Sequence, residues 1–298
     1  FKQKTAYEIM PSLVGSEMCI RDSSELPLLT EAERQQLLTE WNDTATDYPQ
    51  DLCIHQLFEA QAERTPDAVA VVVPPMDGRP RQSLTYRELN QRANQLAHYL
   101  RKRGVEPETV VGICVDRSLE MIVGVLGVIK AGGAYLPLDP LYPQERLAYM
   151  LEDSDTSIIL TQSHLLDRLG ATRNTNHESR NTKHATREII CLDTEWEAIA
   201  QEPDENPVIN TTPENLVYMI YTSGSTGQSK GVMIQHRSLV NAYLAWEDAY
   251  QLRSVRSHLQ MANFSFDVFS GDLVRALCSG GKLVLCPREW LLDPQRLY

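Results

Sequence analysis

The sequence lacks several features that would assign it to other classes of protein. Its longest apolar stretch, residues 121–129 (MIVGVLGVI), is far shorter than the roughly 20 residues of a transmembrane helix, so we expect no membrane partner. The net charge is −12, and without a basic stripe we expect no nucleic-acid partner. The six cysteines form no Cys-x-x-Cys pair and the seven histidines show no metal-ligand spacing. These absences predict buried free thiols in a reducing compartment and no metal site within the chain.

Two segments are set apart from the rest by their composition. Residues 1–23 (FKQKTAYEIMPSLVGSEMCIRDS) resemble a translated sequencing adaptor, and we expect them to be non-native. A signal peptide would need an apolar core, which Glu8 and Glu17 interrupt. Residues 170–187 are rich in Asn, Thr, Arg and His without apolar periodicity, which predicts a polar insertion loop.

The remaining sequence alternates between strand-like and helix-like segments. Thr30 with Glu33, and Thr85 with Glu88, have the spacing of capping boxes at helix starts. Apolar runs typical of buried strands occupy residues 68–73, 110–115, 134–138, 157–161, 189–192, 216–221 and 282–286. Helices are predicted at residues 53–64, 85–104, about 119–130, 238–250 and 267–278, and this alternation of strands and helices predicts an α/β fold with largely parallel sheets.

The most informative segment is residues 221–231 (YTSGSTGQSKG), directly after an apolar run. Glycines allow a close backbone approach to a ligand, hydroxyl groups donate hydrogen bonds, and a lysine adds a positive charge. This combination suits the triphosphate of a nucleotide. The segment is not a Walker A loop, because the pattern Gly-x-x-x-x-Gly-Lys-Ser/Thr is absent. Taken alone, it is also compatible with a flexible surface turn.

Four segments in order resemble core motifs of the adenylation domains of nonribosomal peptide synthetases: residues 84–89 (LTYREL), 129–140 (IKAGGAYLPLDP), 221–231 and 266–270 (FDVFS). The resemblance covers the chain from residue 24 onward. Residues 24–50 look like the linker that follows a condensation domain, and residues 51–298 like an incomplete N-terminal part of the adenylation domain. The implied fold is the large N-terminal domain of adenylate-forming enzymes, with stacked, largely parallel β-sheets and flanking helices, truncated at its C-terminus.

The resemblance also implies an activity. Such a domain uses ATP to activate an amino acid as aminoacyl-AMP and then loads it onto a carrier-protein thiol. The expected cofactors are ATP, Mg²⁺ with ligands beyond the end of this chain, and phosphopantetheine on a separate carrier domain. The expected partners are a peptidyl carrier domain downstream and a condensation domain upstream, in the cytoplasm. We expect this chain alone to be inactive, because the segments that carry the hinge and the family's catalytic lysine would lie beyond residue 298.

The resemblance assigns roles to individual residues. The β- and γ-phosphates would be bound by Thr222, Ser223, Gly224, Ser225, Thr226, Gly227 and Lys230, of which Lys230 is the candidate catalytic residue. The family usually has proline where Ser229 stands, so we expect a slightly looser loop.

Asp267 would pair with the α-ammonium group of the substrate, although from the residues alone an ordinary helix N-cap is equally compatible. Phe266 would support the site by packing, or belong to the core. Val268 and Gly271 fall on side-chain-pocket positions, where Gly271 would leave room for a long side chain. Asp267, Val268 and Gly271 together are similar to pockets for ornithine-like amino acids.

Two polar residues near the motifs receive structural interpretations, and two other functions stay open. Asp139 is interpreted as a turn residue and His236 as packing at a helix start, neither of them catalytic. An acyl-CoA or aryl-CoA ligase would share the phosphate loop but not the pairing of Asp267 with an ammonium group. A docking platform would use Leu37, Leu38 and Trp41 on the first predicted helix.

Overall fold

The computed structural model describes residues 29–75, 78, 80–170, 187–224 and 228–297. The predicted adaptor-like segment and residues 171–186 of the predicted insertion loop therefore lie outside the described residues. The chain divides into two compact units, Phe1–Asp47 and Tyr48–Tyr298. None of the described helices is long and apolar enough to cross a membrane.

The first unit contains helix α1 (Glu31–Leu38) and a short 3-10 helix (Glu40–Asn42). The predicted capping box at its start is confirmed: the Glu33 N–H donates to the Thr30 hydroxyl, and the Thr30 N–H donates to the Glu33 carboxylate. The cap satisfies N–H groups that have no partner within a helix.

The second unit contains two β-sheets and the helices around them. A four-stranded sheet has the order β2-β1-β10-β9, and a six-stranded sheet has the order β6-β5-β3-β4-β7-β8. The strands are β1 (Val69–Val73), β2 (Gln82–Thr85), β3 (Val110–Cys114), β4 (Ala134–Pro137), β5 (Ile158–Thr161), β6 (Glu188–Cys191), β7 (Leu216–Thr222), β8 (Lys230–Gln235), β9 (Ser257–Gln260) and β10 (Lys282–Leu285). The helices are α2 (Ile54–Arg64), α3 (Tyr86–Arg101), α4 (Leu119–Ala131), α5 (Gln144–Asp153), α6 (Trp196–Ile199), α7 (His236–Tyr250), α8 (Asp267–Leu277) and α9 (Pro294–Leu297).

The strand pairing is mostly parallel, as predicted. In the six-stranded sheet β3 pairs in parallel with β4 and β5, and β4 pairs in parallel with β7. In the four-stranded sheet β10 pairs in parallel with β1 and β9. The exceptions among the described strands are β2 against β1 and β8 against β7, which are antiparallel. The predicted α/β fold with largely parallel sheets is confirmed.

Helix α4 explains how the two sheets stack. Every residue of α4 except Glu120 is buried, because the helix packs against α3, against β3 and β4 of one sheet, and against β1 and β2 of the other. A helix that is apolar on all sides belongs inside a core. It ends at Gly132, whose φ of 98° lies in the left-handed region, as glycine at this position predicts.

The cysteine prediction is confirmed where the structure allows a test. Cys53, Cys114, Cys278 and Cys286 are buried free thiols.

Candidate active site

A cavity opens at the carboxyl ends of β3, β4, β9 and β10, and none of the predicted site residues that the structure describes lines it. β3, β4 and β7 are parallel neighbours in the six-stranded sheet, so the residues that follow them share one edge. The cavity has a volume of about 1000 Å³, and its lining includes Arg117, Asp139, Arg168, Asn263, Phe264 and Arg288. Ligands of open α/β sheets bind outside the carboxyl ends of the strands. This edge is therefore the place to look for the predicted site residues.

The predicted phosphate loop connects β7 to β8 as the turn of a hairpin. Thr222 is paired with Lys230 at the base of the loop. The hydroxyl of Tyr149, on α5, donates to the carbonyl of Ser229 at 2.9 Å. Tyr221 is tied to the same helix, because its hydroxyl donates to the Asp153 carboxylate at 2.6 Å. Both arms of the loop are thus fastened to α5.

Within the loop, position 224 has no room for a side chain. A Cβ atom at this position would lie 2.1 Å from the carbonyl oxygen of Gln228. It would also lie 3.5 Å from Cε of Lys230, so the lysine side chain runs back beside the loop. The side chain of Lys230 is exposed and makes no hydrogen bond or ion pair with a described residue. Its charge is therefore available to a ligand.

The other predicted phosphate ligands divide into two groups. Thr222 and Ser223 are exposed. Ser225, Thr226 and Gly227 lie outside the described residues.

Asp267 is the first residue of α8, and Phe266 rather than Asp267 is the N-cap. The side chain of Asp267 is exposed and makes no hydrogen bond or ion pair with a described residue. The N-cap interpretation of Asp267 therefore does not describe this helix. Burial raises the pKa of the Tyr218 hydroxyl, on β7, and the nearby negative charge of Asp267 raises that pKa further. The Tyr135 hydroxyl, on β4 next to β7, lies 2.6 Å from the hydroxyl of Ser270, one turn after Asp267, so the start of α8 lies near the strand that leads into the predicted phosphate loop.

The neighbours of Asp267 differ in exposure. Phe266 and Val268 are 58% and 53% exposed, so Phe266 is not a core residue. Gly271 is buried, and a Cβ atom there would lie 3.1 Å from Cη2 of Trp246. The space that the glycine leaves is taken up by the indole. A long substrate side chain at Gly271 would therefore require Trp246 to move.

Asp139 has the predicted role in a turn and a second one that the sequence did not indicate. One carboxylate oxygen accepts the N–H of Leu141 at 2.9 Å. The other accepts the side-chain amide of Asn263 at 2.6 Å. No local signal could have indicated the second contact, because Asn263 is 124 residues away in the sequence.

His236 lies in a buried cluster with Cys53 and His55, which the sequence spacing did not reveal. One potential ligand atom from each residue lies within 4.8 Å of the others, and no other group of three such residues occurs in the described part of the chain. Burial lowers the pKa of His55 to about 3 and of His236 to about 4, and raises that of Cys53 to about 11.

The contacts of His236 favour a structural role for this cluster. Its Nδ1 accepts the N–H of Ile54 at 3.3 Å, and Ile54 is the first residue of α2. The neutral ring therefore carries its proton on Nε2. To bind His236, a metal ion would have to displace the proton on Nε2 or the hydrogen bond from the Ile54 N–H to Nδ1. To bind Cys53, it would also have to displace the thiol proton. The interpretation of His236 as packing at a helix start agrees with this geometry.

Comparisons with known proteins agree with this architecture. The AMP-binding enzyme family matches residues 58–298. Gramicidin S synthase 2 of Brevibacillus brevis is 46% identical over 275 residues, which are 92% of this chain and 6% of that protein. The chain therefore spans only a small part of this relative.

Solved structures give the same result. The nonribosomal peptide synthetase FmoA3 in an AMPPNP-bound form matches with a TM-score of 0.74 and 30% identity, over 94% of this chain and 28% of that one. Its form bound to alpha-methyl-L-serine-AMP matches with a TM-score of 0.71 and 31% identity, over 85% of this chain and 25% of that one. The resemblance to nonribosomal peptide synthetases is thereby confirmed, and the match over residues 58–298 shows that the chain belongs to the AMP-binding enzyme family.

Proposed function

We propose that this chain is the part of an adenylation domain that binds ATP and an amino acid and joins them as an aminoacyl-AMP. The observation that carries the proposal is the placement of two uncommitted charges near one strand. Lys230 closes the loop that follows β7, and Asp267 begins the helix whose Ser270 contacts Tyr135 on β4, the neighbour of β7. The AMPPNP and alpha-methyl-L-serine-AMP found with FmoA3 support this choice of ligands.

In this reaction the amino acid carboxylate attacks the α-phosphorus of ATP, and the bond to the β-phosphate breaks to release pyrophosphate. Negative charge grows on the leaving pyrophosphate. The loop residues Thr222, Ser223, Gly224, Ser225, Thr226 and Gly227 would donate hydrogen bonds to it, and Lys230 would supply a positive charge. Donors preorganised toward developing charge lower the barrier to reaction. The close approach of the backbone at Gly224 fits a loop that wraps around phosphates.

Asp267 would bind the substrate by its α-ammonium group. Its carboxylate is exposed and has no cationic partner among the described residues, so an ammonium group can approach it. The exposed side chains of Phe266 and Val268 flank it and would contact the apolar part of the amino acid. With Gly271 they would form one wall of the substrate pocket, and an ornithine-like substrate would need the indole of Trp246 to be displaced.

The remaining assignments complete the proposed cycle. ATP would bind together with Mg²⁺, which in such sites is held by the phosphates and one or two carboxylates. The acyl group would pass to phosphopantetheine on a peptidyl carrier domain. Residues 24–50 would connect the domain to a condensation domain upstream. The use of ATP and carrier thiols favours a cytoplasmic setting.

The experiment that tests this function is amino-acid-dependent exchange of pyrophosphate into ATP. It is run on the extended chain, by which we mean this sequence joined to the downstream part of its reading frame. The panel includes ornithine and small amino acids. We expect one amino acid to stimulate exchange well above the rest.

Two other results would replace the proposal. Turnover of carboxylic acids that lack an amine, with none of amino acids, would make the protein an acyl-CoA or aryl-CoA ligase. An extended chain that binds no nucleotide would favour the docking platform.

A further inference from the structure

The start of α8, which carries Asp267, is shaped by the turn before it. The side-chain oxygen of Asn263 accepts the N–H of Ser265 at 2.8 Å. The main-chain carbonyl of Asn263 accepts the N–H of Phe266 at 3.1 Å. These two bonds fix the backbone between Asn263 and the N-cap. The direction in which Asp267 leaves the helix start therefore depends on Asn263.

Asp139 fixes the orientation of the Asn263 amide. Its carboxylate accepts the amide N–H of Asn263 at 2.6 Å, while its other oxygen is held by the N–H of Leu141. Asp139 is only 8% exposed, and hydrogen bonds to a charged acceptor are stronger than neutral ones. Because the nitrogen of the amide faces Asp139, its oxygen faces Ser265. The conformation of the turn before α8 thus depends on Asp139, just beyond the end of β4.

β4 holds the start of α8 at two further points. The ring of Phe264 stacks on Tyr135, with centroids 6.2 Å apart and an interplanar angle of 6°. The Tyr135 hydroxyl lies 2.6 Å from the hydroxyl of Ser270, one turn into the helix. Contacts from the β4 region therefore lie on both sides of Asp267 in the sequence.

Arg117, which follows β3, holds the segment that leads into this turn. Its guanidinium donates to the main-chain carbonyls of Gln260 at 2.8 Å, Met261 at 3.3 Å and Ala262 at 2.5 Å. The chain entering Asn263 is therefore already fixed, and the amide of Asn263 determines how it continues.

We propose that Asp139 is a positioning residue for amino acid activation: through Asn263 it sets the backbone that presents Asp267 to the substrate amine. The proposal rests on the proposed role of Asp267 and requires no contact between Asp139 and the substrate. It differs from a general structural role, because it predicts an effect on amino acid binding that spares ATP binding.

A reciprocal exchange tests the proposal in the extended chain. Asp139→Asn places two amide donors against each other, and Asn263→Asp places two carboxylates against each other. In the double variant the amide at position 139 donates to the carboxylate at position 263. The N–H groups of Leu141 and Ser265 keep their oxygen acceptors. The pair is re-formed with its donor and acceptor exchanged.

We expect each single variant to raise the KM for the amino acid about 10-fold to 100-fold, the usual range for a lost hydrogen bond to a charged group. The KM for ATP should stay close to that of the parent. The unfolding temperature should fall in each single variant and recover in the double variant, because the partly buried Asp139–Asn263 hydrogen bond is lost and then re-formed. The double variant should recover most of the lost affinity. Asp193→Asn is the matched control, since Asp193 also follows a parallel strand and accepts the Ser163 hydroxyl at 2.6 Å. It should leave the KM for the amino acid unchanged.

Amide hydrogen exchange over residues 263–269 provides a second measurement that needs no activity. Exchange should accelerate in both single variants and slow again in the double variant. A double variant no better than either single variant would overturn the proposal, as would equal losses in ATP and amino acid binding. If the parent shows no amino-acid-dependent exchange of pyrophosphate, the proposed function is wrong, and the role of Asp139 in activation is then wrong as well. The hydrogen-exchange data would then still report whether Asp139 fixes the helix start.

Discussion

The phosphate loop and the start of α8 are held in place in different ways. The loop is closed by residues close in sequence, since Thr222 at its beginning pairs with Lys230 at its end, and contacts with α5 then hold the closed loop. The start of α8 is held by residues far away in sequence: Asn263 by Asp139, 124 residues earlier, and Ser270 by Tyr135, 135 residues earlier. A locally closed site can be recognised from a motif. A site assembled by long-range contacts requires the fold.

The largest effect that separates the two regions is expected from Lys230→Ala. If the charge of Lys230 faces the leaving pyrophosphate, as proposed, its removal should lower the exchange rate on the order of 10²–10³-fold, with little change in the KM for the amino acid. Lys230→Arg keeps the charge with a different geometry, so its exchange rate should lie between those of the parent and of Lys230→Ala. Steady-state exchange kinetics of the extended chain provide the measurement. Unchanged kinetics with ATP would remove Lys230 from the site.

Asp267→Asn should impair the use of the amino acid and spare the use of ATP, the reverse of Lys230→Ala. The change keeps the shape of the side chain and removes the charge that attracts an ammonium group. We expect the KM for the amino acid to rise about 10-fold to 100-fold, while the KM for ATP stays near that of the parent. Saturation curves for each substrate distinguish the two constants. An equal rise in both would mean that the two regions do not act separately.

Two glycine substitutions test how the loop is built. In Gly224→Ala the new methyl group meets the carbonyl oxygen of Gln228, and the backbone must shift. In Gly231→Ala it meets mainly the terminal Cε of Met219, a flexible side chain that can rotate away. We expect ATP affinity to fall roughly tenfold, about 1.4 kcal/mol, in the first variant and less in the second. Calorimetric titration with a non-hydrolysable ATP analogue measures both, and equal losses would argue against a tightly closed loop.

A further effect concerns stability rather than activity, at the exit of the hairpin, where His236 follows β8. Burial lowers the pKa of His55, beside His236 and Lys130, to about 3, and that of His236 to about 4, from 6.5. The unfolded chain therefore binds protons that the folded chain does not. The free energy of unfolding should be unaffected by these groups above pH 6.5 and should fall as the pH drops from 6.5 toward 4. The slope is at most about 1.4 kcal/mol per pH unit for each histidine.

Thermal unfolding between pH 7.5 and pH 5 measures this dependence. His55→Gln should make it shallower. An unfolding temperature that stays constant over this range would show that the two rings are accessible to protons in the folded state.

The sequence was sufficient for most of the fold because its signals are local. The capping box of Thr85 and Glu88 is present at the start of α3, and the apolar run of α4 ends at Gly132. Strands β2 and β9 were not predicted, because each has only four residues, two of them exposed. Strand β8 was not predicted, because none of its residues is buried. Helix α5 was not predicted either, because its apolar face is narrow: only Leu147, Met150 and Leu151 are buried.

For the candidate site, the sequence indicated the residues but not their supports. Lys230 and Asp267 belong to motifs, so a resemblance could point to them. Asp139 has a visible role in its own turn, whereas its bond to Asn263 depends on how the two sheets stack. The contact of Trp246 with Gly271 likewise joins two helices. Side-chain partners of this kind become visible only once the fold has brought them together.

The most direct test of the account compares the preferred amino acid with its analogue that lacks the α-amine. Pyrophosphate exchange is measured with both substrates in the parent extended chain and in Asp267→Asn. If Asp267 binds the ammonium group, the parent will favour the amino acid strongly. The variant will lose most of that preference, because its exchange rate with the amino acid falls while its rate with the analogue stays the same. If the variant keeps the preference of the parent, the amine is recognised elsewhere, and the start of α8 is not the amino acid site.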